Sequence, residues 1–276
     1  ALDPALTTLM QSSPYFEGKL MGKDARIIAY RGDKYFDYPD SLYINQPEFR
    51  NLNDYASNYT EFLNSITDRT KKWKELLAEQ GSSLNDFSKK DGASILDSSW
   101  KPVKISPHGT IEMRGPDVNS LHKVVALSTL MNHISKYVET KFIKIQPGII
   151  GNNEPFKLED KILYVPDQAY LLSLQRESAI YGFESQRVLN YCKALIKLVK
   201  SLISVEMTAP LRIFSRQVEQ EKTKSDEIID YVKKKQGYSD YKEITQETTQ
   251  EFALKTRDTI FKDLIITKKM IDEVYQ

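Results

Sequence analysis

Apolar residues that recur at steps of three and four constrain this sequence more than any other feature. Because an α-helix has about 3.6 residues per turn, such residues share one face, which must pack against another element. The clearest example begins after Asn119 or Ser120, either of which can cap the helix. Its apolar face consists of Leu121, Val124, Leu127, Leu130, Met131, Ile134 and Val138. By the same criterion, helices are predicted over residues 3–12, 167–181 and 184–203, and repeatedly after residue 210. Another is predicted from residue 47, and it continues or restarts before residue 81.

Two short segments have strand character instead. Residues 110–114 alternate polar and apolar side chains between Gly109 and Gly115, which is the period of a β-strand. Residues 25–30 are a second strand candidate, whereas residues 15–23 and the Pro147-Gly148 pair are typical of loops. The sequence therefore predicts an α+β fold in which a sheet packs with helices and a mostly helical C-terminal region follows.

The strand at residues 110–114 is also the segment with the clearest chemical potential. It places Thr110, Glu112 and Arg114 on one face, with backbones of alternate residues roughly 6.6 Å apart. A carboxylate can hold Mg²⁺ that bridges phosphate oxygens, and the planar arginine fork stabilises charge on a phosphoryl group in transfer. The spacing alone favours a simpler interpretation, a cross-strand salt bridge on a solvated sheet.

Charge and hydropathy exclude several classes of partner. The 39 Lys and Arg residues nearly balance the 38 Asp and Glu residues, so no bulk field attracts nucleic acid or anionic lipid. No apolar run reaches the roughly 18 residues of a membrane span, and no signal-peptide pattern is present. Cys192, the only cysteine, lies in an apolar stripe and is predicted to be a buried thiol. We expect no nucleic-acid or membrane partner, and a cytoplasmic location.

Four segments resemble one enzyme family when taken together. Residues 110–117 have the sequence Thr-Ile-Glu-Met-Arg-Gly-Pro-Asp, which resembles the strand motif of glutamate-cysteine ligases and other carboxylate-amine ligases. Residues 13–18, Ser-Pro-Tyr-Phe-Glu-Gly, are similar to that family's Ser-Pro-Phe-x-Glu-Gly segment. Trp100 precedes the strand as the family's tryptophan does, and residues 176–182 resemble a helix near the end of the family domain. The resemblance implies a glutamine synthetase-like antiparallel sheet packed with helices.

The same resemblance implies an activity and roles for particular residues. The family uses Mg²⁺ and ATP, as a substrate, to phosphorylate the glutamate γ-carboxylate, which the cysteine amine then attacks, a reaction of glutathione biosynthesis. Glu112 would be a magnesium ligand and a catalytic residue, and Arg114 would stabilise the transferring phosphoryl group. Arg26 would bind a substrate carboxylate or phosphate, with Arg31 as its rival. Asp117 would brace its loop rather than touch metal.

The sequence departs from the family pattern after Trp100. The bacterial carboxylate-amine ligases continue with Asp-x-Arg-Pro, whereas this chain continues with Lys-Pro-Val-Lys. An arginine contact is therefore missing, and either Lys101 or Lys104 is a candidate to replace it.

The family's N-terminal metal-binding elements have no match in these residues. We therefore expect residues 1–205 to be the C-terminal half of a ligase catalytic domain that needs its N-terminal half, and residues 206–276 to be a helical extension. On this view the chain is a fragment that is inactive alone. Two alternatives stay open, a ligase that uses another amine and a noncatalytic helical scaffold.

Overall fold

The computed structural model describes residues 1–31, 46–91, 94, 96, 99, 101–148, 154–203 and 210–275. The chain divides into two compact units, the first formed by Ala1–Ile28 with Pro116–Gln276 and the second by Ala29–Gly115. The predicted boundary near residue 205 is not part of this division. It falls among residues 204–209, outside the described residues, and stays a prediction.

Helices and short strands alternate along the chain. The helices are α1 (Asp3–Leu9), α2 (Ala25–Arg31), α3 (Pro47–Arg50), α4 (Tyr59–Glu79), α5 (Leu84–Asp91), α6 (Leu121–Thr140), α7 (Gln168–Tyr181), α8 (Gln186–Leu202), α9 (Arg212–Glu219), α10 (Lys224–Gln236) and α11 (Gln246–Tyr275). The strands are β1 (Tyr15–Phe16), β2 (Lys19–Leu20), β3 (Val103–Ile105), β4 (Ile111–Met113), β5 (Lys144–Gly148), β6 (Lys157–Glu159) and β7 (Ile162–Pro166).

The described strands form three small sheets. Strands β1 and β2 pair antiparallel, as do β3 and β4, while the third sheet has the order β5-β7-β6. In that third sheet β5 runs parallel to β7, and β6 runs antiparallel to it. The α+β class and the mostly helical C-terminal region are therefore confirmed. The loop predicted at Pro147-Gly148 is wrong, because both residues pair with β7.

The core of the first unit is built around α1. All seven residues of α1 are buried, and the helix packs against both α7 and α8. Thr8, a polar residue of this helix, is paired inside the core, where its Oγ1 lies 2.7 Å from the Ser178 Oγ. Cys192 of α8 is fully buried as predicted, and burial raises the pKa of its thiol to about 12.

The predicted strand at residues 25–30 is wrong, because this segment forms α2. The Asp24 carboxylate accepts hydrogen bonds from the backbone N–H groups of Arg26 and Ile27 at 3.1 and 3.2 Å. Such a carboxylate satisfies N–H groups that a helix leaves unpaired at its start. The Asp24 side chain therefore caps a helix that begins at Ala25.

The helix predicted from residue 47 is interrupted. The short α3 ends at Arg50, and α4 begins only at Tyr59. Asn58 restarts the helix, since its side chain accepts a hydrogen bond from the Glu61 backbone at 2.9 Å. The apolar periodicity was continuous across this break, but capping chemistry separates the two helices.

The Ser-Pro segment contains a tight hairpin where a loop was predicted. Strands β1 and β2 are joined by Glu17 and Gly18, whose φ angles are 49° and 81°. Two consecutive positive φ values are typical of the type I′ turn, whose twist matches paired strands. The positive φ angles that this turn requires therefore explain the Glu17-Gly18 pair.

The C-terminal helices complete the first unit. Helix α10 begins with a capping box between Thr223 and Asp226, and α11 packs against α6. Among the described helices, none combines the length and the apolar character that crossing a membrane requires.

Gly22 offers a test of this packing. A Cβ at Gly22 would lie 2.6 Å from the Ala179 carbonyl oxygen and 2.9 Å from the Ile28 Cδ1. We expect Gly22→Ala to lower the free energy of unfolding by about 2 kcal/mol, because the backbone of α7 has to shift. Urea denaturation measures the change.

Gly148→Ala is the matched control, since a Cβ there meets nothing within 4 Å. We expect its stability to stay within about 0.5 kcal/mol of wild type. Equal losses in the two variants would contradict the close approach of Gly22 to α7.

Candidate functional site

Glu112 lies on the β3–β4 hairpin of the second unit, directly opposite Lys104. The Lys104 Nζ and the Glu112 Oε2 are 3.7 Å apart, which makes a cross-strand ion pair. The Lys104 side chain is only 6% exposed, whereas the Glu112 side chain is 42% exposed. The cross-strand salt bridge considered from the sequence is therefore present, and the Glu112 carboxylate also faces solvent.

Arg114 comes directly after β4 and is held by two backbone carbonyls. Its N–H donates to the Pro102 oxygen at 2.6 Å, and its Nη1 donates to the Ser99 oxygen at 2.9 Å. Thr110 lies before the strand and shares a 2.7 Å hydroxyl contact with Ser106 in the hairpin turn. The strand is thus shorter than predicted, and Thr110 serves the turn.

Two further cations lie in the second unit, at Lys101 and Arg69. Burial lowers the pKa of Lys101 to about 8, and the charge of Arg69 lowers it further while Glu48 opposes the shift. Burial also lowers the pKa of Arg69, whose Nε has no hydrogen-bond partner among the described residues. Positive charge concentrated and desolvated in this way favours binding of an anion.

Arg26 of the first unit is ion-paired with two carboxylates. Its Nη2 lies 3.0 Å from the Asp24 Oδ2, and its Nε lies 3.1 Å from the Asp117 Oδ1. Burial raises the pKa of Asp24, an effect that Arg26 opposes and Asp117 reinforces. The Arg26 side chain remains 34% exposed. For the rival Arg31, the side chain lies outside the described residues.

Asp117 joins the end of the strand motif to the Ser-Pro segment. Its Oδ2 accepts hydrogen bonds from the Ser12 N–H at 3.2 Å and from the Ser12 hydroxyl at 2.9 Å. The Ser13 hydroxyl donates to the same oxygen from 104 positions away in the sequence. Asp117 therefore braces residues 12 and 13, a segment distant in sequence from its own loop.

The third family-like segment, residues 176–182, meets the Ser-Pro segment in the same unit. The Ala179 carbonyl accepts hydrogen bonds from the Lys23 and Asp24 N–H groups at 2.7 and 3.0 Å. The Gln11 Nε2 donates to the Ser178 carbonyl at 2.7 Å. Within the first unit, Asp117 therefore contacts Ser12 and Ser13, and Ala179 contacts the chain that follows Gly22. Trp100 lies outside the described residues.

Lys23 is a buried charged residue that the sequence analysis missed. Its Nζ lies 2.6 Å from both the Glu184 Oε1 and the Asp226 Oδ1. Burial lowers the pKa of Lys23, but hydrogen bonds and charge from Asp226 and Glu184 outweigh burial, so the pKa is raised. In the sequence, the one indication that Lys23 matters was its position directly after Gly22, next to the Ser-Pro segment.

The described residues do not form a complete magnesium site. They contain no group of three or more His, Cys, Asp or Glu residues arranged to hold a metal. Glu112 provides one hard oxygen ligand beside the Lys104 ammonium. Because Mg²⁺ needs octahedral oxygen coordination, Glu112 alone fits one ligand position and no more.

The Asp117 brace generates a stability prediction. We expect Asp117→Asn to lower the free energy of unfolding by about 2 kcal/mol or more, since it leaves Arg26 facing only one carboxylate and weakens the serine contacts. Asp230→Asn is the control, because Asp230 pairs with Lys222 and both side chains are more than half exposed. Its expected loss is at most about 1 kcal/mol. Urea denaturation of both variants measures the difference, and similar small losses would contradict the bracing role.

Comparison with known proteins leaves function to be argued from the residues themselves. No protein-family model, no curated protein and no solved structure matches the chain. The contacts among the family-like segments and the cations of the second unit are the observations available for a functional proposal.

Proposed function

We propose that this chain is the C-terminal part of the catalytic domain of an ATP-dependent carboxylate-amine ligase with a glutamine synthetase-like fold. Its substrates are glutamate, cysteine and ATP, and its product is the γ-glutamyl amide of cysteine. The observation that carries the proposal is a set of polar contacts within the first unit. Asp117 contacts Ser13, and the Ala179 carbonyl accepts from the Lys23 and Asp24 N–H groups, so residues from three family-like segments meet.

The β3–β4 hairpin supplies the residues proposed to act on phosphate. Glu112 presents a half-exposed carboxylate as one magnesium ligand, and Arg114 follows directly after the same strand. In this proposal Mg²⁺ neutralises phosphate charge when bound, as it does in other phosphoryl-transfer enzymes. Arg114 offers planar N–H donors to the phosphoryl group, whose charge is redistributed during transfer.

The other cations of the second unit support the same role. Lys101 and Arg69 are desolvated and mutually repulsive, so a bound phosphate group would relieve both effects. Lys101 is therefore the better candidate for the arginine contact that the sequence lacks, because Lys104 is paired with Glu112. A nearly neutral chain needs such local cations to hold a polyanionic nucleotide.

Arg26 is proposed to bind a substrate carboxylate or phosphate at the edge that stays exposed. Its ion pairs with Asp24 and Asp117 hold the guanidinium in one orientation, which favours recognition of a planar group. This role stays a prediction beside the structural one that the ion pairs describe.

The remaining metal and nucleotide contacts are proposed to come from polypeptide outside these 276 residues, the N-terminal half of the same domain. Glu112 supplies only one ligand position, so carboxylates from elsewhere are needed. We propose a cytoplasmic enzyme, since ATP and the thiol substrate coexist in a reducing compartment.

A noncatalytic helical scaffold is the second candidate, and one contact favours it. The Lys104–Glu112 ion pair satisfies Glu112 without any metal. On that view the hairpin is structural and its charged residues stabilise the fold. Substitution of Glu112 separates the two candidates.

We expect Glu112→Gln to abolish ligation in the full-length enzyme, because an amide is a poor ligand for a hard cation. The measurement is glutamate- and cysteine-dependent ADP release at saturating magnesium, with the dipeptide identified by mass spectrometry. Glu159→Gln is the control, since Glu159 also pairs with a strand lysine, Lys157, at 2.8 Å and is half exposed.

Activity of Glu112→Gln within about tenfold of wild type would reject the metal role and favour the scaffold. The unaltered 276-residue chain, assayed alone, is expected to release no ADP in response to glutamate. ADP release that scales with its concentration would contradict the need for a second half.

We expect Arg114→Lys to lower kcat on the order of 10²-fold while the Kd for ATP changes little. An interaction that strengthens in the transition state acts on kcat, and lysine keeps the charge but loses the planar fork. The control is Arg212→Lys, because Arg212 pairs with Glu273 at an exposed position. A normal kcat at unchanged Tm would assign Arg114 a structural role, and a loss confined to ATP affinity would make it a ground-state contact.

A further inference from the structure

A cavity of about 690 Å³ opens in the first unit, and Ser12 and Val118 at its edge border the Asp117 brace. It lies between the N-terminal ends of α6 and α10 and the middle of α11. Its size falls within the range of small-molecule sites, which is about 300–1,000 Å³. Much of its wall is apolar and includes Leu121, Ile228, Phe252, Ile260 and Leu264.

Lys123 is the charged group of interest in this cavity. It lines the cavity although it is only 9% exposed, and in the described part of the chain its Nζ has neither an ion pair nor a hydrogen bond. Burial lowers its pKa to about 8, with Glu227 opposing the shift and Lys224 adding to it. A buried ammonium without a partner is costly to the fold.

The carboxylates that line the same cavity already have ion-pair or hydrogen-bond partners. Glu227 pairs with Lys224, its Oε2 lying 2.7 Å from the Nζ. Asp263 accepts a hydrogen bond from the Leu121 N–H at 2.6 Å and also contacts the His122 Nδ1. Asp263 therefore caps the start of α6 and connects α11 to it. Among the described residues that line the cavity, Lys123 is left as a buried ammonium without an ion pair or hydrogen bond of its own.

We propose that this cavity binds an acyl chain ending in a carboxylate, with the carboxylate paired to Lys123 and the chain lying on the apolar wall. One buried cation neutralises one negative charge, which favours a carboxylate over a phosphate dianion. The aliphatic side chains favour a flexible hydrocarbon, since each buried methylene contributes to binding. Lys262, exposed where it lines the cavity, adds positive charge that attracts the anion. This binding site is additional to the ligase proposal and does not rest on it.

Calorimetric titration of the 276-residue chain with decanoate at pH 7 tests the proposal. We expect saturable binding of one decanoate, and Lys123→Met should weaken it by tenfold or more. Lys136→Met is the control, because it removes the same charge from an exposed position of α6 and should bind as wild type does. Decanol, which has the same chain without the charge, should bind wild type at least tenfold more weakly than decanoate.

Absence of saturable binding, equal affinity of Lys123→Met and wild type, or equal affinity for decanol and decanoate would each overturn the proposal. Lys123→Met should fold, because it removes a desolvated charge. If this variant does not fold, a measurement on the wild-type chain still tests the proposal. Decanoate should protect Lys123 from trinitrobenzenesulfonate at pH 8, as measured by peptide mass spectrometry, and modification at an unchanged rate would again overturn the proposal.

Discussion

The organisation of the first unit depends on the buried carboxylate of Asp117. Its two oxygens hold Arg26 on one side and Ser12 with Ser13 on the other. Through these contacts Asp117 is tied to the segment that follows α1, within the first unit. Without such a partner, the buried carboxylate would be an uncompensated charge.

The buried charges of this protein depend on their local partners and not on the overall net charge. Lys23 is buried between two carboxylates, which raise its pKa, whereas Lys101 and Lys123 are buried with less compensation and have pKa values lowered to about 8. In a paired buried lysine the carboxylates offset the cost of desolvation, whereas a less compensated one costs free energy that a bound anion would recover. The latter two positions are for this reason the ones to which we assign ligands, a phosphate group in the second unit and a carboxylate in the first.

Local patterns predicted those elements that depend on local physics. The apolar periodicity predicted α6, α7 and α8 closely, and the alternation at residues 110–114 predicted β4. The same reasoning was wrong for α2, where the Asp24 side chain satisfies the first N–H groups of a helix and adjacent isoleucines both find a buried position. Strand β5 was missed because its stability comes from pairing with β7, which no local pattern displays.

The features of the candidate sites can likewise be separated into those that the sequence predicted and those that only packing produced. The sequence by itself determined that Glu112 and Arg114 stand two residues apart at a predicted strand, and it suggested a resemblance to a ligase family that stays a prediction. It also determined that Cys192 lies in an apolar stripe. Only the tertiary structure decided that Asp117 reaches Ser13 across 104 positions, that Lys104 faces Glu112 and that Lys123 is buried beside a cavity. The physical reason is that spacing along a chain specifies faces and neighbours within an element, whereas burial and charge pairing arise only when distant elements pack together.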